Sequence, residues 1–234
     1  LLEDSMIRAA YDHSLQDLQA RVLALGSEVE QNIPKVVTAL LARDIDTAYA
    51  IIESDKAVNE RQITIIMDCL KLIATQQPTA RDMRFIAATL EIVGELERIN
   101  DYVKGISRTS LLLGDQSLLI SFRDNLPIMA GLARNMLRRS LDAFAKNDET
   151  LARSVPPSDD LVDDIFRKLY VDILAYARDN PQEIERASQL EWVIHNIERA
   201  ADRMINICEW VIYMATGIYQ EIESEYEAPP LGTA

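Results

Sequence analysis

Apolar residues recur along the chain at alternating steps of three and four positions. This spacing places their side chains on one face of an α-helix. The two clearest runs are Ile92, Leu96, Ile99, Val103 and Ile106, and Leu190, Val193, Ile197, Ala200, Met204, Ile207, Val211 and Met214. No segment shows the sustained alternation of apolar and polar residues that marks a half-buried strand. The pattern therefore predicts an all-α protein made of long amphipathic helices that pack as bundles.

Turn residues and helix caps divide this pattern into six long helices. Asp44 is a favourable N-cap residue, Gly114-Asp115 interrupts the apolar pattern near the middle, and prolines at 78, 156, 157 and 181 mark helix starts. The predicted helices cover residues 8–42, 45–76, 79–113, 117–147, 158–179 and 182–220.

An internal repeat relates the two halves of the chain. A shift of 101 residues aligns Glu97-Arg98 with Glu198-Arg199 and Asp101 with Asp202, in the same apolar phase. Any two amphipathic helices align at some offset, but the coincident Glu-Arg-x-x-Asp does not follow from amphipathicity. The repeat predicts two tandem three-helix bundles, at 8–113 and 117–220, and a flexible acidic tail at 221–234.

Each half carries two carboxylates one helical turn apart. Glu97 and Asp101, like Glu198 and Asp202, are four residues apart and project from one face of a helix. Like charges at this spacing destabilise a helix slightly, so their duplication suggests a compensating cation. Oxygen ligands on adjacent helical turns suit Mg²⁺, Mn²⁺ or iron.

A hard cation binds more oxygens than two, so the second helix of each bundle should contribute further ligands. A shift of 104 residues aligns Asp55 and Asn59 with Asp159 and Asp163, in the matching part of the repeat. The full set of predicted metal ligands is Asp55, Asn59, Glu97, Asp101, Asp159, Asp163, Glu198 and Asp202. The alternative is a solvated acidic face whose charge is relieved by neighbouring arginines.

Three classes of protein fit two bundles with acidic motifs: a signalling adaptor, a ferritin-like di-metal protein and a metal-binding scaffold. Ferritin-like sites need Glu-x-x-His pairs, and neither His13 nor His195 supplies one. The sequence also lacks a glycine-rich phosphate loop and a nucleophile elbow. The chain is therefore predicted not to be an enzyme.

Charge, hydropathy and cysteine content limit the partners and the cellular location that the sequence predicts. The net charge of −14 repels nucleic acid and anionic lipid, and no apolar run approaches the ~20 residues that span a bilayer. Cys69 and Cys208 lie within apolar helical patterns and not at metal-ligand spacing, which predicts two reduced, buried thiols. The start of the chain lacks the basic and apolar pattern of a secretory signal, which favours a cytoplasmic location.

Four segments closely resemble the signatures of the PhoU family. Residues 77–84 (QPTARDMR) and 96–101 (LERIND) are similar to its QPxAxDLR and LERIGD segments. Residues 197–202 (IERAAD) and 206–213 (NICEWVIY) are similar to its second-half signature, ERIGDHATNIAEWVIY. Order, spacing and duplication agree, and the similarity covers residues 9–220.

The resemblance implies two tandem three-helix bundles, often in a homodimer, with metal sites for Mg, Mn, Fe or Zn at the duplicated acidic motifs. It also implies a cytoplasmic negative regulator of the phosphate-starvation response. Such a regulator links the ATPase subunit of a phosphate ABC transporter to a phosphate-sensing histidine kinase, and reaches the membrane only through these partners. Arg81, Asp82 and Arg84 are predicted to form either a partner-binding surface or a helix-capping network.

Overall fold

The computed structural model describes residues 2–114 and 118–222, which are helical apart from short connections and contain no strand. Two 3₁₀ turns, Pro156–Ser158 and Pro181–Glu183, precede the last two helices. The helices are α1 (Leu2–Ala42), α2 (Ile45–Thr75), α3 (Ala80–Leu113), α4 (Ile120–Lys146), α5 (Glu149–Arg153), α6 (Asp159–Asp179) and α7 (Ile184–Thr216). None of them is long and apolar enough to cross a membrane.

Local chemistry explains most of the helix ends. Asp44 caps α2 by accepting a hydrogen bond from the backbone N–H of Thr47, as predicted. Thr79 and Asp82 form a reciprocal capping box at the start of α3. Gly217 adopts a left-handed conformation and ends α7, so this helix is shorter than the predicted 182–220.

The short helix α5 is absent from the predicted set, in which a single helix covered 117–147 and the next began at 158. Asn147 ends α4 in a left-handed conformation, with φ of 51°. Asp148 then accepts a hydrogen bond from the backbone N–H of Leu151 and starts a new turn of helix. An Asn-Asp pair can therefore end one helix and begin another, which apolar periodicity alone does not detect.

The core of each bundle is formed by the predicted apolar seams. Every residue of the two runs in α3 and α7 is buried, and Ile92, Leu96 and Ile99 are fully so. The helices α1, α2 and α3 form the first bundle, and α4, α6 and α7 the second, with α5 covering one end. The prediction of an all-α fold with two tandem three-helix bundles is confirmed.

The two bundles lie side by side, because α3 packs against α7 and α1 against α4. Arg84 near the start of α3 donates a hydrogen bond to the backbone carbonyl of Met214 near the end of α7. Gly105, towards the other end of α3, faces Asn196, so close that a Cβ at Gly105 would lie 3.2 Å from the amide oxygen. These contacts show that α3 and α7 run antiparallel.

Both cysteines are buried and free of a disulfide, which confirms that they lie in the helical core. Burial raises the pKa of Cys69 and of Cys208 to about 12. The predicted acidic tail lies outside the described residues from position 223 onward. Its first two residues are described, and the backbone N–H of Ile222 donates a hydrogen bond to Glu209.

Candidate functional site

Four carboxylates from two helices come together in the second bundle. Asp159 and Asp163 are one turn apart at the start of α6, and Glu198 and Asp202 are one turn apart on α7. The charges of Asp163, Asp202 and Glu198 all act on Asp159. The structure thus unites the four second-half residues that the sequence predicts as metal ligands.

The protonation of this cluster is strongly perturbed. Burial raises the pKa of Asp159 to about 7, and the neighbouring carboxylates add to the shift. Burial also raises the pKa of Glu198 to about 7, followed by the charges of Asp202 and Asp163. The pKa values of Asp163 and Asp202 are raised as well, chiefly by burial, although arginines oppose the shift. The cluster therefore carries negative charge that the protein itself does not fully compensate.

Two oxygens of the cluster lack a hydrogen-bond partner. They are Oδ1 of Asp159, a residue only 7% exposed, and Oε2 of Glu198, and both atoms are buried. The nearest ring nitrogen, Nδ1 of His195, lies 3.8 Å from this Glu198 oxygen, too far for a hydrogen bond. Buried carboxylate oxygens normally have partners, so this pair fits a cation that is bound through oxygen.

The four side chains of the cluster do not converge on a single point. Among the described residues, no three His, Cys, Asp or Glu side chains stand close enough together to hold a metal ion. Neighbouring carboxylates repel one another unless a cation lies between them. Binding a cation would require these side chains to rotate inward.

The first bundle contains the equivalent motif but a different network. The ammonium of Lys104 lies 2.6 Å from Oδ2 of Asp55 and 2.6 Å from Oδ1 of Asp101. The amide of Asn100 donates to the other oxygen of Asp55 at 3.0 Å, and Asn32 donates to Asn100 at 3.2 Å. Lys104 and Asn100, both on α3, therefore satisfy Asp55, and Lys104 also pairs with Asp101.

Glu97 and Asn59 are the remaining first-half candidates. Burial raises the pKa of Glu97, and the nearby charges of Asp101 and Asp55 add to the effect. Oδ1 of Asn59 is buried and has no hydrogen-bond partner. Three of the four first-half candidates, Asp55, Glu97 and Asp101, thus interact with one another and with the ammonium of Lys104.

Sequence reasoning missed the roles of Lys104, Asn100 and Asn32. Lys104 lies three residues after Asp101, a spacing at which opposite charges pair on a helix. That signal was available in the sequence. The contact between Asn32 and Asn100 joins α1 to α3 and depends on tertiary packing, so no local pattern announces it.

The predicted partner residues at the start of α3 have different surroundings. Asp82 forms the capping box, and Arg84 joins α3 to α7. Arg81 is exposed and lines an open cleft of about 600 Å³ beside Lys146. Capping thus accounts for Asp82, while partner binding by the two arginines stays a prediction.

Known proteins are similar to this chain over both of its halves. The family model described as PhoU domain matches residues 22–109 and 126–211, one match in each half. An accessory protein of phosphate-specific transport, the PhoU homolog of Streptococcus pneumoniae serotype 4, is 32% identical over 211 residues, which cover 90% of this chain and 97% of that protein. The PhoU accessory protein of Escherichia coli K12 is 32% identical, over 90% of this chain and 87% of its own length.

Solved structures agree. A crystal structure of the phosphate transport system regulatory protein PhoU from Streptococcus pneumoniae superposes with a TM-score of 0.84 at 30% identity, covering 91% of this chain and all of that one. The crystal structure of PhoU from Pseudomonas aeruginosa gives a TM-score of 0.84 at 29% identity over 89% of this chain. These relatives are named as accessory or regulatory proteins and not as enzymes, in agreement with the expected lack of catalysis. The chain therefore belongs to the PhoU family of accessory and regulatory proteins of phosphate transport.

Proposed function

We propose that the chain is a cytoplasmic negative regulator of the phosphate-starvation response. It couples the ATPase subunit of a phosphate ABC transporter to a phosphate-sensing histidine kinase and acts as a homodimer. The observation that carries the proposal is family membership over both halves of the chain, supported by relatives named for phosphate-specific transport. Coupling of this kind needs surfaces whose affinity for partners differs between phosphate-replete and starved states.

The surface offers a matching pair of contact stripes. Met67 and Leu70 on α2 are 58% and 48% exposed. The 104-residue shift aligns them with Val171 and Leu174 on α6, which are 60% and 50% exposed. Single apolar residues on a surface are ordinary, but here the same two repeat positions are exposed and apolar in both bundles. These stripes suit contact with other protein chains.

We also propose that the acidic motifs bind a metal ion, with the second bundle as the better supported site. Asp159, Asp163, Glu198 and Asp202 offer oxygen donors only, which favours Mg²⁺ or Mn²⁺ over Zn²⁺, although Fe fits carboxylates too. The buried, unpartnered oxygens of Asp159 and Glu198 support this assignment. A bound ion would neutralise the cluster and fix the start of α6 against α7.

A reporter assay in the source organism tests the regulatory proposal. Deleting the coding gene should switch on a phosphate-starvation promoter in phosphate-rich medium, and the wild-type gene should restore repression. Leu70→Glu together with Leu174→Glu should restore it poorly, because charge on the stripes weakens partner contact. Lys71→Glu, at an exposed neighbouring position, is the matched control and should restore repression.

A reporter that stays silent after deletion would contradict the proposal. If the purified chain still bound metal in that case, it would be a metal-binding scaffold or a ferritin-like protein without the signalling role. Binding of the purified chain to the ATPase subunit and to the kinase provides an independent check, since a regulator that couples them must bind both.

A further inference from the structure

The two acidic motifs differ in charge at one aligned position, where the first motif has a lysine and the second has none. The 101-residue shift that aligns Asp101 with Asp202 also aligns Lys104 with Ile205 and Asn100 with Ala201. The second motif has thus lost both groups that satisfy Asp55 in the first. It has also gained a carboxylate, because Asp163 stands where the first motif has Asn59.

We propose that Lys104 is the built-in cation of the first motif, so that only the second motif takes up a divalent metal ion. The inference rests on the proposed metal binding and makes it specific to one half of the chain. It assigns to Lys104 the role of excluding metal from the carboxylates of the first motif.

The geometry of the first motif supports an ammonium in the position of a metal. Lys104 bridges one carboxylate from α2 and one from α3, at 2.6 Å each, and its side chain is only 17% exposed. Because Asn100 donates to the remaining Asp55 oxygen, both oxygens of Asp55 are occupied. A divalent ion would have to displace both the ammonium and the amide. Because the ammonium belongs to the same chain, it competes with a metal ion in solution at a high effective concentration.

The second motif has neither an ammonium nor an amide at the two aligned positions. Ile205 has no charge, and Ala201 has no donor to offer Asp159. Arginines do act on the second motif: Arg167 on Asp163, and Arg203 on Glu198 and Asp202. Arg199 lies 3.8 Å from Oδ2 of Asp202, at the outer limit of an ion pair. The buried oxygens Oδ1 of Asp159 and Oε2 of Glu198 nevertheless have no hydrogen-bond partner.

Exchanging the two aligned residues tests the inference without removing any carboxylate. Binding of Mn²⁺ to the full chain is followed through the electron paramagnetic resonance of the free ion. Lys104→Ile removes the ammonium and leaves only the neutral amide of Asn100 to be displaced, so it should about double the Mn²⁺ bound per chain at saturation. Ile205→Lys copies the first motif and should abolish binding. Lys56→Ile, at a lysine that is 85% exposed, and Ile205→Met are the matched controls and should bind as the wild type does.

Further variants keep the outcome decisive. Glu198→Gln with Asp202→Asn should abolish Mn²⁺ binding in the otherwise wild-type chain. In the Lys104→Ile chain, the same two changes should leave half of the Mn²⁺ bound. Circular dichroism checks folding. Lys104→Met replaces Lys104→Ile if the latter unfolds, and Ile205→Arg replaces Ile205→Lys.

Two results would overturn the inference and are distinguishable. If the wild type already fills both motifs, and Lys104→Ile adds nothing, metal binding survives but Lys104 does not exclude it. If neither the wild type nor Lys104→Ile binds Mn²⁺, the proposed metal binding fails, and the inference fails with it.

Discussion

Replacing Lys104 with Met should destabilise the metal-free protein measurably. The hydrogen bond to Asp55 joins two charged groups, and the side chain of Asp55 is only 8% exposed, so its loss costs about 1.5–3 kcal/mol. The side chain of Asp101 is 46% exposed, so its ion pair with Lys104 contributes no more than about 1 kcal/mol. We therefore expect a loss of about 2–3 kcal/mol in the free energy of unfolding.

Urea denaturation and thermal melts in the presence of EDTA measure this loss. For a chain of 234 residues, 1 kcal/mol corresponds to about 2–4 °C, so Tm should fall by roughly 4–12 °C. Lys56→Met is the control, because Lys56 is 85% exposed and lies 3.9 Å from Glu60, and its Tm should be that of the wild type. Equal stability of Lys104→Met and wild type would refute the argument that the ammonium neutralises Asp55.

Three further predictions concern the second bundle. Asp159 and Glu198 have pKa values raised to about 7, so the folded, metal-free protein binds their protons more tightly than the unfolded chain does. The two groups destabilise the fold when they are ionised, above about pH 7, and this effect disappears as they are protonated at lower pH. Lowering the pH from about 8 to about 6 should therefore raise the free energy of unfolding by about 1 kcal/mol for each group. A Tm in EDTA that does not rise over this pH change would contradict the prediction. Phe144→Ala should cost about 3–5 kcal/mol in urea, because the ring is fully buried and stacks on that of Phe85 at 5.9 Å; a cost below about 1 kcal/mol would mean that the site refills. Glu209→Ala should lower the pKa of Tyr219 from about 12, because burial would remain but the carboxylate would be gone; an unchanged phenolate titration would show that burial alone sets it.

Periodicity predicted the fold well because burial repeats along each helix. Residues such as Ile92 and Leu190 could be placed in the core from spacing alone, and both are fully buried. Helix ends that depend on one residue were less predictable. The left-handed Asn147 splits off α5, since an asparagine in an otherwise helical pattern can lie inside a helix or end it.

The sequence predicted which carboxylates lie near one another, but not which positive groups they face. Repeat alignment brought the carboxylates of both halves to the correct neighbours, because equivalent helices pack in equivalent ways. It did not distinguish a carboxylate that faces an ammonium from one that faces none. That difference comes from single replacements, Lys104 against Ile205 and Asn100 against Ala201, which leave the apolar pattern unchanged.

Elemental analysis of the purified chain after exhaustive dialysis tests the proposed metal site most directly. The wild type should retain a divalent metal, and Glu97→Gln with Asp101→Asn should retain the same amount. Glu198→Gln with Asp202→Asn should lose it. Metal that persists in this second variant, or a wild type without metal above background, would contradict the assignment of the ion to the second bundle.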